Sequence, residues 1–251
     1  MDAVTFSAGG YRYLPGVFQY SAGVAAAPGF VIERACFTMP RALSDGFATV
    51  EAFLAARQRP MTAFCACELR SPAPFTEQGF ADFNRHYVRT LEGWGLYRDG
   101  VNPVARTNVC PVIEPPPVPS LLAFSYTVPA DSQQPGTFVI AGSGEARDGG
   151  PSYRESVVRL GDVSMDGLRH KVRYVVDEMN RRLGSLGFSW SDATAIHAYT
   201  AHDIGPLVRD ELFGRGVARN GLTWDHARPP IVDIEFEMDV RRPLVDRLLD
   251  A

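Results

Sequence analysis

Apolar residues recur at spacings of three and four at Leu168, Val172, Val175, Val176, Met179, Leu183 and Leu186. That is the stripe of an amphipathic helix. Ser164 is placed to cap it, Asp166 suits its first turn, and Gly184 and Gly187 mark its end. A shorter stripe of Phe47, Val50, Phe53 and Leu54 follows Gly46. Each stripe is followed by a strand-like run, residues 61–68 in the first half and 193–200 in the second. A second helical stripe comes next. In the first half it is Phe80, Phe83, Tyr87, Leu91 and Trp94. In the second it is Ile204, Leu207, Val208 and Leu212, with Asp203 as its expected cap.

Both halves then reach an Ala-Arg pair that leads into a late strand, Ala105-Arg106 and Ala227-Arg228. Gly46 precedes Arg106 by 60 positions and Gly167 precedes Arg228 by 61, an offset of 121 to 122 in a chain of 251 residues. The ordered series predicts two copies of one β-β-α-β-α-β-β unit, an α+β layout. The expected units are residues 1–130 and 131–251, with a seam near the polar, proline-containing residues 129–135. A hairpin is expected to open the first half, with strands at 17–21 and 30–37 around the turn 25–29, and residues 137–141 open the second. The proline-rich residues 114–119 read as a stiff loop between strand-like pieces at 107–113 and 121–128.

Half of this chain is long enough to bury its own core. Apolar content of 45% and charged content of 22% are ordinary for a globular protein. A net charge of −4 supplies no basic field, so nucleic acid is a poor partner, and an anionic metabolite would need local arginines. No run approaches the roughly 18 apolar residues of a membrane span, and the N-terminus has no signal-peptide pattern. Cys65 and Cys67 share one face of a strand, outside any C-x-x-C spacing, and with Cys36 and Cys110 they read as free thiols. Free thiols point to the cytoplasm. His86, His170, His197, His202 and His226 are scattered without ligand spacing, so no catalytic metal is expected. Gly142-Ser-Gly144 lacks the third glycine and helix start of a dinucleotide fingerprint.

Two segments share a small residue before an arginine, a strand, a connection and a last strand: residues 102–111, and 221–238 with its shorter connection. On these the chain resembles the RidA-type (YjgF-like) superfamily, with chorismate-mutase-like units, each a mixed β-sheet with two helices on one face. Residues 63–79, 102–111, 141–146 and 227–230 together look like the double-length 2-amino-5-chloromuconate deaminase family. The resemblance implies hydrolytic loss of ammonia from an enamine or imine dicarboxylic acid, with no metal or organic cofactor. It also implies a homo-oligomer, a trimer with clefts between units. A non-catalytic metabolite-binding or regulatory protein on the same fold is the rival reading.

Arg106 occupies the position of the family arginine, whose guanidinium binds a carboxylate through parallel hydrogen bonds. A surface ion pair is the alternative. Arg228 is its counterpart, but Pro229 and Pro230 follow it, so one of the two sites is expected to be altered. The family also carries a glutamate on its last strand. Residues 121–127 of the first unit contain no acid, which turns attention to Glu235 and Glu237 in the second unit. Both alternate with apolar residues, as a solvated strand face also would. Glu145 follows glycines that allow close approach of a ligand to the backbone, or simply make a turn. The expected catalytic set is Arg106, Glu145 and Glu235. The expected substrate-binding set is Arg228, Asn108, Cys110 and Glu68, with Asn108 and Cys110 at alternating strand positions after Arg106.

Overall fold

The computed structural model describes residues 2–131, 133–147 and 152–249. Ser132, inside the expected seam, lies outside the described residues. The first half runs β1 (Val4–Phe6), β2 (Tyr11–Leu14), β3 (Gly23–Ala26), β4 (Phe30–Ala42), α1 (Leu43–Ala56), β5 (Phe64–Arg70), α2 (Glu77–Gly93), β6 (Ala105–Pro111) and β7 (Ser120–Pro129). The second runs β8 (Phe138–Gly144), α3 (Tyr153–Ser156), α4 (Met165–Leu186), β9 (Ala195–Tyr199), α5 (Gly205–Leu207), β10 (Thr223–Asp225), β11 (Ala227–Arg228), β12 (Glu237–Arg242) and β13 (Val245–Leu249).

The helical stripes end where their chemistry says they should. Ser164 Oγ accepts from Gly167 N at the start of α4, and Gly187 closes it in the left-handed region at φ 83°. Thr76 caps α2 in the same way through Gly79 N. The second stripe of the second half differs from expectation. Asp203 Oδ1 does accept from Gly205 N. Yet only Gly205–Leu207 is α-helical, and Val208–Leu212 forms a π turn followed by a 3₁₀ turn. Glycines at 205, 214 and 216, the last at φ 76°, deprive this segment of helix-stabilising side chains.

Strand order β4-β7-β5-β6 in the first half matches β8-β12-β9-β10 in the second. In each the two pairings of the middle strands are antiparallel and the last is parallel. The edges are exchanged. β1, β2 and β3 continue the sheet of the second half through β3 and β8, giving seven strands. β13 pairs parallel to β4, and β11 pairs with β6, giving six strands in the other sheet. The expected opening hairpin is therefore corrected. Val17 and Tyr20 form only an isolated bridge, and β3 and β4 on either side of the Gly29 turn enter different sheets. Both faces of β2 and β3 are apolar: Leu14 and Ala25 pack toward α4, while Tyr11, Tyr13 and Val24 pack the other way. A ribbon apolar on both sides needs cover on both sides.

The sheets pack face to face, with Tyr11, Val24 and Val139 meeting Ile32, Cys65 and Ala105 between them. The helices lie outside, α1 and α2 on the six-stranded sheet and α4 on the seven-stranded one. Charges are also buried in this middle layer. Glu68 on β5 takes two hydrogen bonds from Arg34, at 2.6 and 2.9 Å, and lies 3.3 Å from Arg241 of the opposite sheet.

Candidate active site

A cleft opens where the two sheets part, enclosing roughly 640 Å³ with its mouth included. β6 supplies one wall through Arg106 and Asn108; β8 supplies Gly142, Ser143 and Gly144; β12 supplies Glu237. The site is thus assembled from both halves of one chain. Tyr20, Phe80, Ile231 and Ile234 add apolar surface.

Arg106 is only 3% exposed. Its guanidinium carbon lies 4.7 Å from the ring centre of Tyr87, 5.2 Å from Tyr20, 5.6 Å from Phe80 and 5.7 Å from Phe83. These rings hold the cation by its faces and exclude water from it. Nη1 is shielded from solvent and has no hydrogen-bond partner among the described residues. Asn108 is fixed by Ser71, whose Oγ donates to its Oδ1 at 3.0 Å, and its Nδ2 is likewise buried and unpartnered. Two strand positions separate these groups, about 6.6 Å along the chain, so they share one face. Unpaired buried donors are costly and uncommon in folded proteins. A bound anion would satisfy both.

Glu237, 5% exposed, begins β12 opposite this wall and lies across from Gly144. Between Ile140 and Ser143, β8 takes three steps against two from Val240 to Met238 on β12. This bulge turns Gly142 toward the carboxyl group. A Cβ on Gly142 would collide with Glu237 Oε1. Burial raises the Glu237 pKa well above the ordinary carboxylate value; the charges of Asp239 and Glu145 add to the rise, and Arg106 and Arg182 oppose it. A carboxyl group that resists ionisation, in the same cleft as a buried guanidinium, is equipped to donate a proton.

Of the expected catalytic and substrate-binding residues, the cleft brings together Arg106 and Asn108, and Glu237, weighed beside Glu235, joins them. Cys110 continues their alternation but is not among the lining residues; burial, followed by the charge of Glu237, pushes its thiol up to about 12. Arg228 pairs with Cys110 through the backbone, but its side chain is exposed in a separate pocket with Pro74 and residues 231–235. Glu235 belongs to that pocket, with Oε2 at 2.7 Å from His202 Nε2. Glu145 is fully buried, 3.0 Å from Lys171 Nζ. It accepts from the backbone N–H groups of Glu235 and Phe236 at 2.7 and 2.9 Å, so it fixes the segment that delivers Glu237. Burial opposes ionisation of Glu68, but Arg241 and Arg34 outweigh it and hold its carboxyl well below the usual range.

Pro229 and Pro230 explain why the two arginines part. Neither has a backbone N–H for a ladder, so β11 stops after two residues and the chain turns toward the cleft as loop. Sequence reasoning weighed Glu237 beside Glu235 and placed Glu235 in the catalytic set, whereas it is Glu237 that lines the cleft; alternation does not say where a strand begins. It missed Arg182, a charged position on the α4 stripe whose only local signal is Glu178 four residues earlier. Among the described residues, no three His, Cys, Asp or Glu side chains gather where they could hold a metal, and no helix is long and apolar enough to cross a membrane.

The fold is similar to that of a chorismatase crystal structure, with a TM-score of 0.52 at 13% identity, covering 96% of this chain and 89% of that one. A YjgF/YER057c/UK114 family protein from Mycobacterium tuberculosis matches 43% of the chain and 79% of its own, at a TM-score of 0.27 and 15% identity. A 2-amino-5-chloromuconate deaminase from Comamonas testosteroni is 54% identical over 250 residues, 99% of each chain. The profile of the 2-aminomuconate deaminase family, CnbZ, matches residues 3–247, and the chain described above belongs to that family.

Proposed function

We propose that the cleft hydrolyses the C–N bond of an enamine or imine dicarboxylic acid, such as 2-aminomuconate or its 5-chloro analogue, in the breakdown of aromatic compounds. The observation that carries this reading is the meeting of two unpartnered buried donors, Arg106 Nη1 and Asn108 Nδ2, with a buried Glu237 that resists ionisation. Arg106 and Asn108 hold the carboxylate next to the amino-bearing carbon. Glu237 donates its proton to the neighbouring carbon, turning the enamine into an imine. The glutamate, now charged, takes a proton from the water that attacks the imine carbon. Returning that proton to nitrogen lets the C–N bond break while the new hydroxyl group gives its proton back to the glutamate, so one water is consumed, one ammonia leaves with a 2-oxo acid as product, and Glu237 is neutral again. The aromatic and aliphatic wall around Arg106 limits competing solvent.

The reading extends to a trimer in the cytoplasm. Met39 and Leu248, 71% and 72% exposed, stand on β4 and on its neighbour, the edge strand β13, where a second chain would cover them. The four cysteines are free, as in a reducing compartment. Light scattering tests the trimer. The activity is tested by ammonia release from 2-aminomuconate, which Arg106→Ala should abolish. Tight binding of dicarboxylates with no ammonia from any amino-diene acid would mean a metabolite-binding protein instead.

A further inference from the structure

The cleft contains a second guanidinium, and it comes from an unexpected direction. Arg182 belongs to α4, on the outer face of the seven-stranded sheet, yet it lines the same cleft as Arg106 and Glu237. Its side chain passes between the start of β3 and β8, where Nη1 contacts the carbonyl oxygens of Ala22 and Ala141 at 3.4 and 3.3 Å. Nε donates to Glu178 at 2.6 Å, and Nη2 donates to Ser143 Oγ at 3.1 Å. The residue is 4% exposed, so this geometry is held by the interior and not by solvent.

Counting donors shows what remains. A guanidinium has five N–H groups and no acceptor. The four contacts above account for Nε, both hydrogens of Nη1 and one of Nη2. One Nη2 hydrogen is left without a partner among the described residues. Because arginine can only donate, Ser143 Oγ must accept from it, which leaves the serine proton free to be given elsewhere. Ser143 also lines the cleft and is half-buried. Two donors therefore stand side by side, one charged and one polarised by that charge, a pair suited to the two oxygens of a carboxylate. Arg147 also lines the cleft, but it is exposed, and among the described residues its side chain has no hydrogen-bond or ion-pair partner.

We infer that Arg182 and Ser143 form a second carboxylate subsite, opposite the Arg106–Asn108 wall, and that this subsite makes the cleft selective for dicarboxylic over monocarboxylic substrates. Glu178 positions Arg182 without touching the ligand. The inference rests on the substrate class proposed above, but it concerns binding and can be tested without turnover.

The probes are muconate, an unreactive six-carbon diene with two carboxylates, and sorbate, a related diene with one. Calorimetry on the full chain should show tighter binding of muconate. Ser143→Ala should weaken muconate on the order of tenfold and leave sorbate unchanged, the loss expected for one hydrogen bond to a charged group. Arg182→Lys should do the same, keeping the charge but losing the fork, while Arg106→Ala should weaken both ligands. Equal weakening of both by Ser143→Ala, or no change in either, would overturn the inference. So would loss of the dicarboxylate preference in Arg147→Ala with Ser143→Ala unaffected. If ammonia release fails for every amino-diene acid while these binding differences hold, the subsite stands and the deaminase reading falls.

Discussion

Glu237 is a carboxyl group that the fold discourages from ionising, and this has two measurable consequences. As proton donor it must be neutral, so kcat should fall as pH rises through its pKa. Glu237→Gln should lower kcat by about 10²–10⁴-fold, the usual contribution of a positioned acid, with a much smaller change in muconate affinity. Stability should move the same way. The native state keeps this proton to higher pH than the unfolded chain, where glutamate titrates near ~4.3. The native state therefore binds more protons between that value and the raised one, and stability falls as pH rises across the window. Denaturant titrations at several pH values should show a shallower fall for Glu237→Gln, which ends up the more stable protein at neutral pH. Gly142 is the complementary position. Gly142→Ala puts a methyl group into the carboxyl's space, and should cost about 1–3 kcal/mol while displacing Glu237 and reducing activity.

At the scale of elements, Glu145, one of the two glutamates read from the sequence as catalytic, sits where it can clamp. Lys171 of α4 and the N–H groups entering β12 converge on its carboxylate, and Lys171 Nζ also donates to Val158 O at 2.9 Å. Lys171→Met leaves this carboxylate buried without its cation, and unfolding measurements should show a loss of about 3–5 kcal/mol. Adding Glu145→Leu should recover part of that loss, because an apolar pair leaves no charge stranded. Most elements were legible in the chain. The α4 stripe, its serine cap and its closing glycine follow from periodicity and local hydrogen bonding alone. The broken segment after α5 was less legible, because four apolar residues at helical spacing outweighed, on paper, the glycines that break it. The site was legible at Arg106 and Asn108, which lie on one strand, and illegible at Arg182, whose reach through a gap between strands has no periodic signature.

At the scale of the whole molecule, each half lends its edge to the other. The N-terminal ribbon pairs with β8, and β13 pairs with β4, where Arg34 also bonds Asp246 at 2.8 Å. A chain cut at the seam should show the consequence. Residues 1–130 expressed alone should leave the apolar faces of β2 and β3 uncovered and should not unfold cooperatively. Co-expression with residues 131–251 should restore a single transition, and ammonia release with it, since Arg106 and Glu237 come from different halves. Independent cooperative unfolding of both fragments would count against this coupling.

The sequence by itself determined the repeat, the order of its main helices and central strands, and the arginine on β6, because periodicity and spacing act between near neighbours on the chain. It also carried the unequal ending of the two units, in the prolines after Arg228. Only the tertiary structure decided which glutamate faces Arg106, which arginine stands across from it, and which sheet each edge strand joins. Those depend on the β8 bulge, on a gap between strands, and on burial from both sides. All three bring together residues far apart along the chain, through contacts that exist only once both sheets have packed.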